Sequence, residues 1–286
     1  AAFGEPSINM KWCFDLPDRN FHRGFPLAYF QGSAPEDIAA SAQWEVERQI
    51  SRVMTEATKY GKNLCYAGGV ALNCVANSKV LLNKFKKIWI FPNPGDAGCS
   101  LGAALGHLGR KVEYKHCFWG NEIIGRPNPR IIVDYLLANK VVGVANGKAE
   151  FGPRALGNRS LLGDVRYNIK RTVNNIKRRQ KFRPFAPAIL EEYFEDYFEG
   201  EKNEFMQFTC RARHDYGSVT HVDGSARVQV VTKDNPSILR KILENYYDRT
   251  GIPMLLNTSL NVKGKPMVDT GIHADEFYKE TGVRVF

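Results

Sequence analysis

The chain has 286 residues, 43% of them hydrophobic, enough for two packed domains and against disorder. Its net charge of +10, from 40 Lys and Arg against 30 Asp and Glu, favours an anionic partner, either nucleic acid or a phosphorylated small molecule. Cys13, Cys65, Cys74, Cys99, Cys117 and Cys210 form no CxxC pair, so neither a zinc knuckle nor a disulfide framework is signalled, and a reducing, cytoplasmic setting is expected. No apolar run approaches the length of a membrane span, and no signal peptide is visible.

Residues 1–32 are rich in Pro, Phe and Arg and show no period; without an initial Met, they read as a loop in a chain whose front has been removed. Ser33 and Glu36 form a capping-box pattern, with Pro35 in the first turn. They open a predicted helix over Glu36–Lys59, where Ile38, Ala42, Val46, Ile50, Val53, Met54 and Ala57 keep helical spacing. A short strand, Leu64–Ala67, leads to Gly68-Gly69 and a helix expected through Leu82. A second strand, Ile88–Phe91, runs into the Pro- and Gly-rich segment Pro92–Gly98, and a small-residue helix follows from Cys99 to Gly109. That order predicts an α/β fold with a parallel sheet.

Trp119-Gly120 and Arg126-Pro127 interrupt any pattern, placing a boundary between Arg110 and Pro129 and domains at 1–118 and 119–286. Beyond it, a helix is expected at Ile131–Ala138 and strands at Val141–Val144, Phe205–Cys210, Ala226–Val231 and Met254–Leu256. A further helix over Ser237–Thr250 makes this half α+β. There is no internal repeat or low-complexity tract.

Chemistry concentrates in five segments. Gly68-Gly69-Val70-Ala71-Leu72-Asn73 has the strand, Gly-Gly turn and helix start that aim backbone N–H groups at an anion, though a plain tight turn explains it equally well. Asp96, beyond the second strand, either binds a metal or caps the next helix, the cap being the commoner use. No HxxxH or HxH pattern completes a metal site; His107 reads as packing on an apolar helix face and His116 as linker. The third group joins Glu150-Phe-Gly-Pro-Arg154-Ala-Leu-Gly-Asn-Arg159-Ser160 to the basic run Lys177–Arg183. Each arginine offers a planar donor fork for phosphate or carboxylate, and Phe182 and Phe185-Ala186-Pro187 pack beside the charges; surface charge remains the alternative for Arg178 and Lys181. His221, in Thr220–Arg227, is a candidate acid–base group near Arg227. Last, Leu255–Gly264 empties a buried strand into Asn257, Ser259 and Asn261, suited to a phosphate or ribose and equally to an Asn/Ser-stabilised turn.

Taken in order, these motifs closely resemble the NodU-type O-carbamoyltransferases, from about Glu36 to Thr270. The resemblance implies a partial actin/Hsp70-like domain followed by a domain like threonylcarbamoyl-adenylate synthase (YrdC). It implies ATP and carbamoyl phosphate as co-substrates, a carbamoyl-adenylate intermediate and a small-molecule hydroxyl acceptor. Lys177 and Arg179 match the Lys-x-Arg element of the YrdC-like fold, and Ser259 and Asn261 its Ser-x-Asn element. Arg154, Arg159, Arg183 and Arg227 would neutralise phosphate charge, with Ser160, Asn257 and His221 beside them. Gly68, Gly69 and Asn73 would meet a nucleotide, and Asp96 would ligate a divalent metal, iron or magnesium. The histidine metal ligands of that family's N-terminal half are absent from this sequence, so the adenylate-forming half is the part expected to survive.

Two other readings compete. A nucleic-acid-binding module fits the charge and the run Asn174–Arg183, but the flanking aromatics are bracketed by Pro and apolar residues, which argues for packing rather than base stacking. A tRNA-threonylcarbamoylation enzyme would use threonine and bicarbonate in place of carbamoyl phosphate.

Overall fold

The computed structural model describes residues 1–10, 30–125 and 127–286. The aperiodic stretch therefore lies largely outside the described residues, as do Cys13 and Arg126. The chain divides into two compact units, residues 1–64 with 75–88, and residues 65–74 with 89–286.

The first unit is built on α1 (Pro35–Ala57). Pro35 opens it, where its missing N–H costs nothing. The capping box does not form: the N-cap is Ala34, without a side-chain bond, so Ser33 lies one residue too early. Ile50 and Met54 are buried as the spacing predicts, whereas Val53 is exposed. The buried Glu45 carboxylate is matched by Arg48 at 2.6 Å and by Gln49 at 2.6 Å.

The chain crosses between the units within β1 (Asn63–Tyr66), at α2 (Cys74–Ala76) and within β2 (Lys87–Ile90). The helix expected through Leu82 is broken up: a 3-10 turn over Gly69–Leu72, then α2, then a π turn over Asn77–Leu81. Among the described residues before 118, β1 and β2 form a two-stranded sheet and nothing larger. Helix α3 (Cys99–Leu108) forms as expected and ends at left-handed Gly109, but none of its residues is buried, so His107 is exposed rather than packed.

The second unit holds β3 (Phe118–Ile123), α4 (Pro129–Asn139), β4 (Val141–Ala145), β5 (Gly147–Glu150), β6 (Arg159–Gly163) and α5 (Lys170–Ile176). It continues through β7 (Ala186–Leu190), α6 (Phe194–Tyr197), β8 (Phe198–Glu199), β9 (Cys210–Ala212), β10 (Ser225–Ala226) and β11 (Gln229–Val231). It ends with α7 (Leu239–Thr250), β12 (Met254–Ser259) and α8 (Gly271–Thr281). A five-stranded sheet runs β11-β7-β12-β6-β4, parallel only between β11 and β7.

Strand alternation makes this sheet the middle of three layers. Val142, Val144, Leu162 and Leu255 pack against α4 and α7, while Val141, Ala145, Leu161 and Leu256 pack against α5 and α8. Both faces are covered, so the buried stretches of these strands show no alternation of apolar and polar residues. Phe205–Cys210 is not the expected strand: Asn203 Oδ1 accepts the N–H of Phe205 at 2.9 Å and of Gln207 at 3.0 Å, turning the chain, and β9 starts only at Cys210. Likewise Ala226–Val231 splits into β10 and β11, which join different sheets. The architecture is mixed α/β.

Candidate anion site

At the end of β12 the second unit holds a cavity of about 300 Å³. Arg154, Arg179, Arg183 and Arg227 line it together with His221, Asn257, Ser259 and Cys74. Residues far apart in sequence meet here because β12 lies between β6 and β7, pairing Ser259 with Ser160 and Asn257 with Ala186.

Arg154 is presented by a loop tied at its base. Glu150 Oε1 accepts the N–H groups of Leu156 at 2.7 Å, Asn158 at 2.9 Å and Arg159 at 3.2 Å. Gln229 Nε2 donates to the Leu156 carbonyl at 2.9 Å, and Asn257 Nδ2 to the Ala155 carbonyl at 3.1 Å. Gly157 allows the turn: its φ is 131°, and a Cβ there would lie 2.6 Å from Ser237 Oγ. Arg154 itself makes no hydrogen bond or ion pair to the described residues and stands half-buried at the cavity. Burial, then the charge of Arg227, pushes its pKa down to about 10. A desolvated cation facing another cation is an electrostatic cost that an anion relieves.

Arg179 is held from behind. Its Nε donates to Asn174 Oδ1 at 2.6 Å, and its guanidinium lies 4.3 Å from the Phe185 ring centroid. Burial and then Arg183 and Arg227 lower its pKa to about 10. Asn174 Nδ2 also donates to the Arg183 carbonyl at 2.9 Å, so one buried side chain shapes the basic turn.

Lys177 is buried behind Ser259. Its Nζ donates to Asn261 Oδ1 and to the Asn261 carbonyl, each at 2.9 Å, to Ser259 Oγ at 3.2 Å, and to the Ser259 carbonyl. Ser259 Oγ in turn donates to Asn261 Oδ1 at 2.7 Å. Burial, then Arg179 and Arg183, pushes the lysine down to about 7, against the pull of those oxygens toward the charged form. The lysine of the Lys-x-Arg element thus joins the Ser-x-Asn element in one hydrogen-bonded unit, while Arg179 is held separately by Asn174.

Other candidates lie elsewhere. Arg159 is fully buried and uses its guanidinium on the carbonyls of Asn121, Asn146, Gly147, Asn158 and Asp269, so it joins loops instead of facing the cavity. Ser160 is buried with its hydroxyl unpartnered. Gly68, Gly69 and Asn73 are not in the cavity wall, although Cys74, which the sequence reading passed over, is. Asp96 is exposed at the start of a 3-10 turn whose N-cap is Gly95. Among the described residues no group of three or more His, Cys, Asp and Glu is arranged to hold a metal ion. His116, read as linker, has its Nδ1 buried without a partner. No helix among the described residues is long and apolar enough to cross a membrane.

The carbamoyltransferase C-terminus family model matches residues 133–286, and the carbamoyltransferase N-terminus model matches residues 18–105. The chain belongs to the carbamoyltransferase family. It is 36% identical to the nodulation protein NolNO of Sinorhizobium fredii over 82% of this chain and 40% of that protein. It is 35% identical to the nodulation protein NolO of Bradyrhizobium diazoefficiens over 82% of this chain and 50% of that protein. The chain thus spans about half the length of these curated relatives. Full-length HypF in a phosphate- and nucleotide-bound form gives a TM-score of 0.40 at 15% identity, covering 56% of this chain and 21% of that one, too slight a likeness to argue from. In this member of the carbamoyltransferase family, the cationic cavity lies wholly within the second unit.

Proposed function

We propose that this chain makes carbamoyl-adenylate from carbamoyl phosphate and ATP, and that the activated carbamoyl group is then transferred to a hydroxyl of a small-molecule acceptor. The observation that carries this reading is the convergence of Arg154, Arg179, Arg183 and Arg227 on one cavity backed by Lys177. Water splits carbamoyl phosphate into carbamate and phosphate; a carbamate oxygen then attacks the α-phosphorus of ATP and pyrophosphate leaves. Both steps build negative charge on phosphate oxygens, first on the departing phosphate and then on the departing pyrophosphate. Cations held in place by packing stabilise such charge without reorganising. Residues 119–286 would be the YrdC-like adenylate-forming domain, and residues 1–118 part of the actin/Hsp70-like transfer domain.

Nucleic acid is the poorer reading, because Lys177 and Arg179 of the basic run are turned into hydrogen bonds within the fold. The test is pyrophosphate release from ATP, with and without carbamoyl phosphate and with no acceptor added. Release that requires carbamoyl phosphate is expected. Release that instead requires threonine and bicarbonate, or none from a soluble folded chain, would overturn the proposal.

A further inference from the structure

The cavity wall is rich in donors: four guanidinium groups cannot accept a hydrogen bond. His221 is the side chain in that wall with a ring nitrogen able to accept one, and its tautomer decides whether it does. Its Nδ1 lies 3.0 Å from Ser225 Oγ, and Ser225 Oγ lies 2.7 Å from Asp223 Oδ1. Asp223 also receives the Ser225 N–H at 3.1 Å. Burial is the largest single influence on Asp223 and works against its ionisation, but the hydrogen bonds from Ser225 and the neighbouring His221 together hold its pKa below the usual carboxylate range.

An ionised carboxylate only accepts, so the single Ser225 hydroxyl proton points to Asp223. The serine lone pair then faces Nδ1, which must carry the ring proton. Nε2 keeps its lone pair, forms no hydrogen bond with the described residues and is not enclosed by the protein. The backbone fixes the same turn, since His221 N–H donates to the Ser225 carbonyl at 2.7 Å and Gly224 N–H to the His221 carbonyl at 3.0 Å. The charged groups acting on the ring are Asp223, Arg227 and Lys170; burial is the largest influence and favours the neutral form.

We propose that Asp223 and Ser225 are positioning residues that lock His221 as the Nδ1–H tautomer, so that Nε2 accepts a hydrogen bond from the amine of the carbamoyl group. This rests on the carbamoyl phosphate reading. The oxygens of that molecule are acceptors served by the arginines, and its one strong donor is the NH₂. A site that pairs with an N–H rejects the analogue lacking it, because the acceptor is left unpaired. His221 is therefore a determinant of carbamoyl over acetyl selectivity.

The experiment compares two stable phosphonates, phosphonoacetamide and acetonylphosphonate, which differ by NH₂ against CH₃. Binding of inorganic phosphate, measured alongside, reports whether the arginine cavity is intact. Wild type is expected to prefer the amide by roughly 5- to 30-fold, the span of one hydrogen bond in a desolvated site. Ser225→Ala should shrink that preference, and the ¹⁵N shifts of His221 should move from an Nδ1–H ring toward a tautomer mixture; Asp223→Asn should move them the same way. Equal binding of the two phosphonates by wild type would overturn the proposal, and so would an Nε2–H ring in wild type. An unchanged preference and unchanged ring shifts in Ser225→Ala would remove the relay. The wild-type comparison stands even where a variant fails to fold. Carbamoyl-phosphate-dependent pyrophosphate release with no amide preference sinks only this inference, whereas failure to bind any of the anions sinks the functional proposal as well.

Discussion

Glu150 Oε1 accepts the backbone N–H of Leu156 at 2.7 Å, closing the loop that carries Arg154. Asn158 and Arg159 donate to the same oxygen, while Oε2 is buried with no partner. The buried Glu150 side chain thus shapes the mount for an external anion. Glu150→Ala leaves those N–H groups unpaired and should cost about 3 kcal/mol or more. Urea unfolding measures this, and a loss under 1 kcal/mol would contradict it.

The titration of Glu150 gives the sign of a pH effect. Burial raises its pKa, with the bonds from Leu156, Asn158 and Arg159 acting against that rise. A raised acid contributes most stability below its unfolded pKa of about 4.3, and that contribution disappears as pH rises through the folded value. Glu150→Gln cannot ionise. The stability difference between wild type and Glu150→Gln should therefore move against wild type as pH climbs from the ordinary glutamate range, and a pH-independent difference would refute the assignment.

Lys177 should make anion binding pH-dependent. With its pKa pushed down to about 7, the ammonium is lost as pH rises through that value. Sulfate has no titration of its own in this range. Its affinity for wild type should fall, by up to roughly tenfold, between pH 6 and pH 9. Lys177→Met should bind sulfate more weakly at pH 6 and show no such bend. A matching bend in the variant would assign it to another group.

Arg154 and Arg159 sit in one motif and should behave differently. Arg154→Ala removes a cation that faces the cavity without a protein partner, so stability should change by less than about 1 kcal/mol while carbamoyl-phosphate-dependent pyrophosphate release falls by roughly 100-fold or more. Arg159→Ala strips the donors from the carbonyls of Asn121, Gly147 and Asp269 and should unfold or destabilise the chain by about 3 kcal/mol or more. Arg159→Lys should not rescue it, since one ammonium cannot copy the planar fork. Calorimetry and the pyrophosphate assay on the same preparations separate the two outcomes.

That contrast shows how far the sequence was legible. Apolar patterns located α1, α4, β4 and α7, with Pro35 opening α1, although the capping box expected at Ser33 does not form. Strands β6 and β7 escaped because, buried on both faces, they have no alternation to read. The family resemblance singled out Lys177 with Arg179 and Ser259 with Asn261, but not that Lys177 donates to both Ser259 and Asn261. No local feature announces that β12 brings Ser259 beside Ser160. Arg154 and Arg159 look alike in sequence, and only the carbonyls around Arg159 tell them apart. Cys74 carried no signal except its place directly after Asn73.

A control at residues outside the cavity wall tests whether the second unit's core is as tightly paired as its site. Asp164 is fully buried and accepts the Tyr246 hydroxyl at 2.7 Å and Arg166 Nη2 at 2.7 Å. Burial first, then Asp164, raises the tyrosine pKa, so the phenol stays a donor at any working pH. Tyr246→Phe keeps the ring in the core that α7 makes against the sheet and deletes only the hydroxyl. The carboxylate retains Arg166, which limits the loss to about 1–2 kcal/mol. Sulfate affinity at the cavity should be unaltered. A larger loss, with weakened sulfate binding, would mean that this buried pair also sets the position of the strands that carry the arginines.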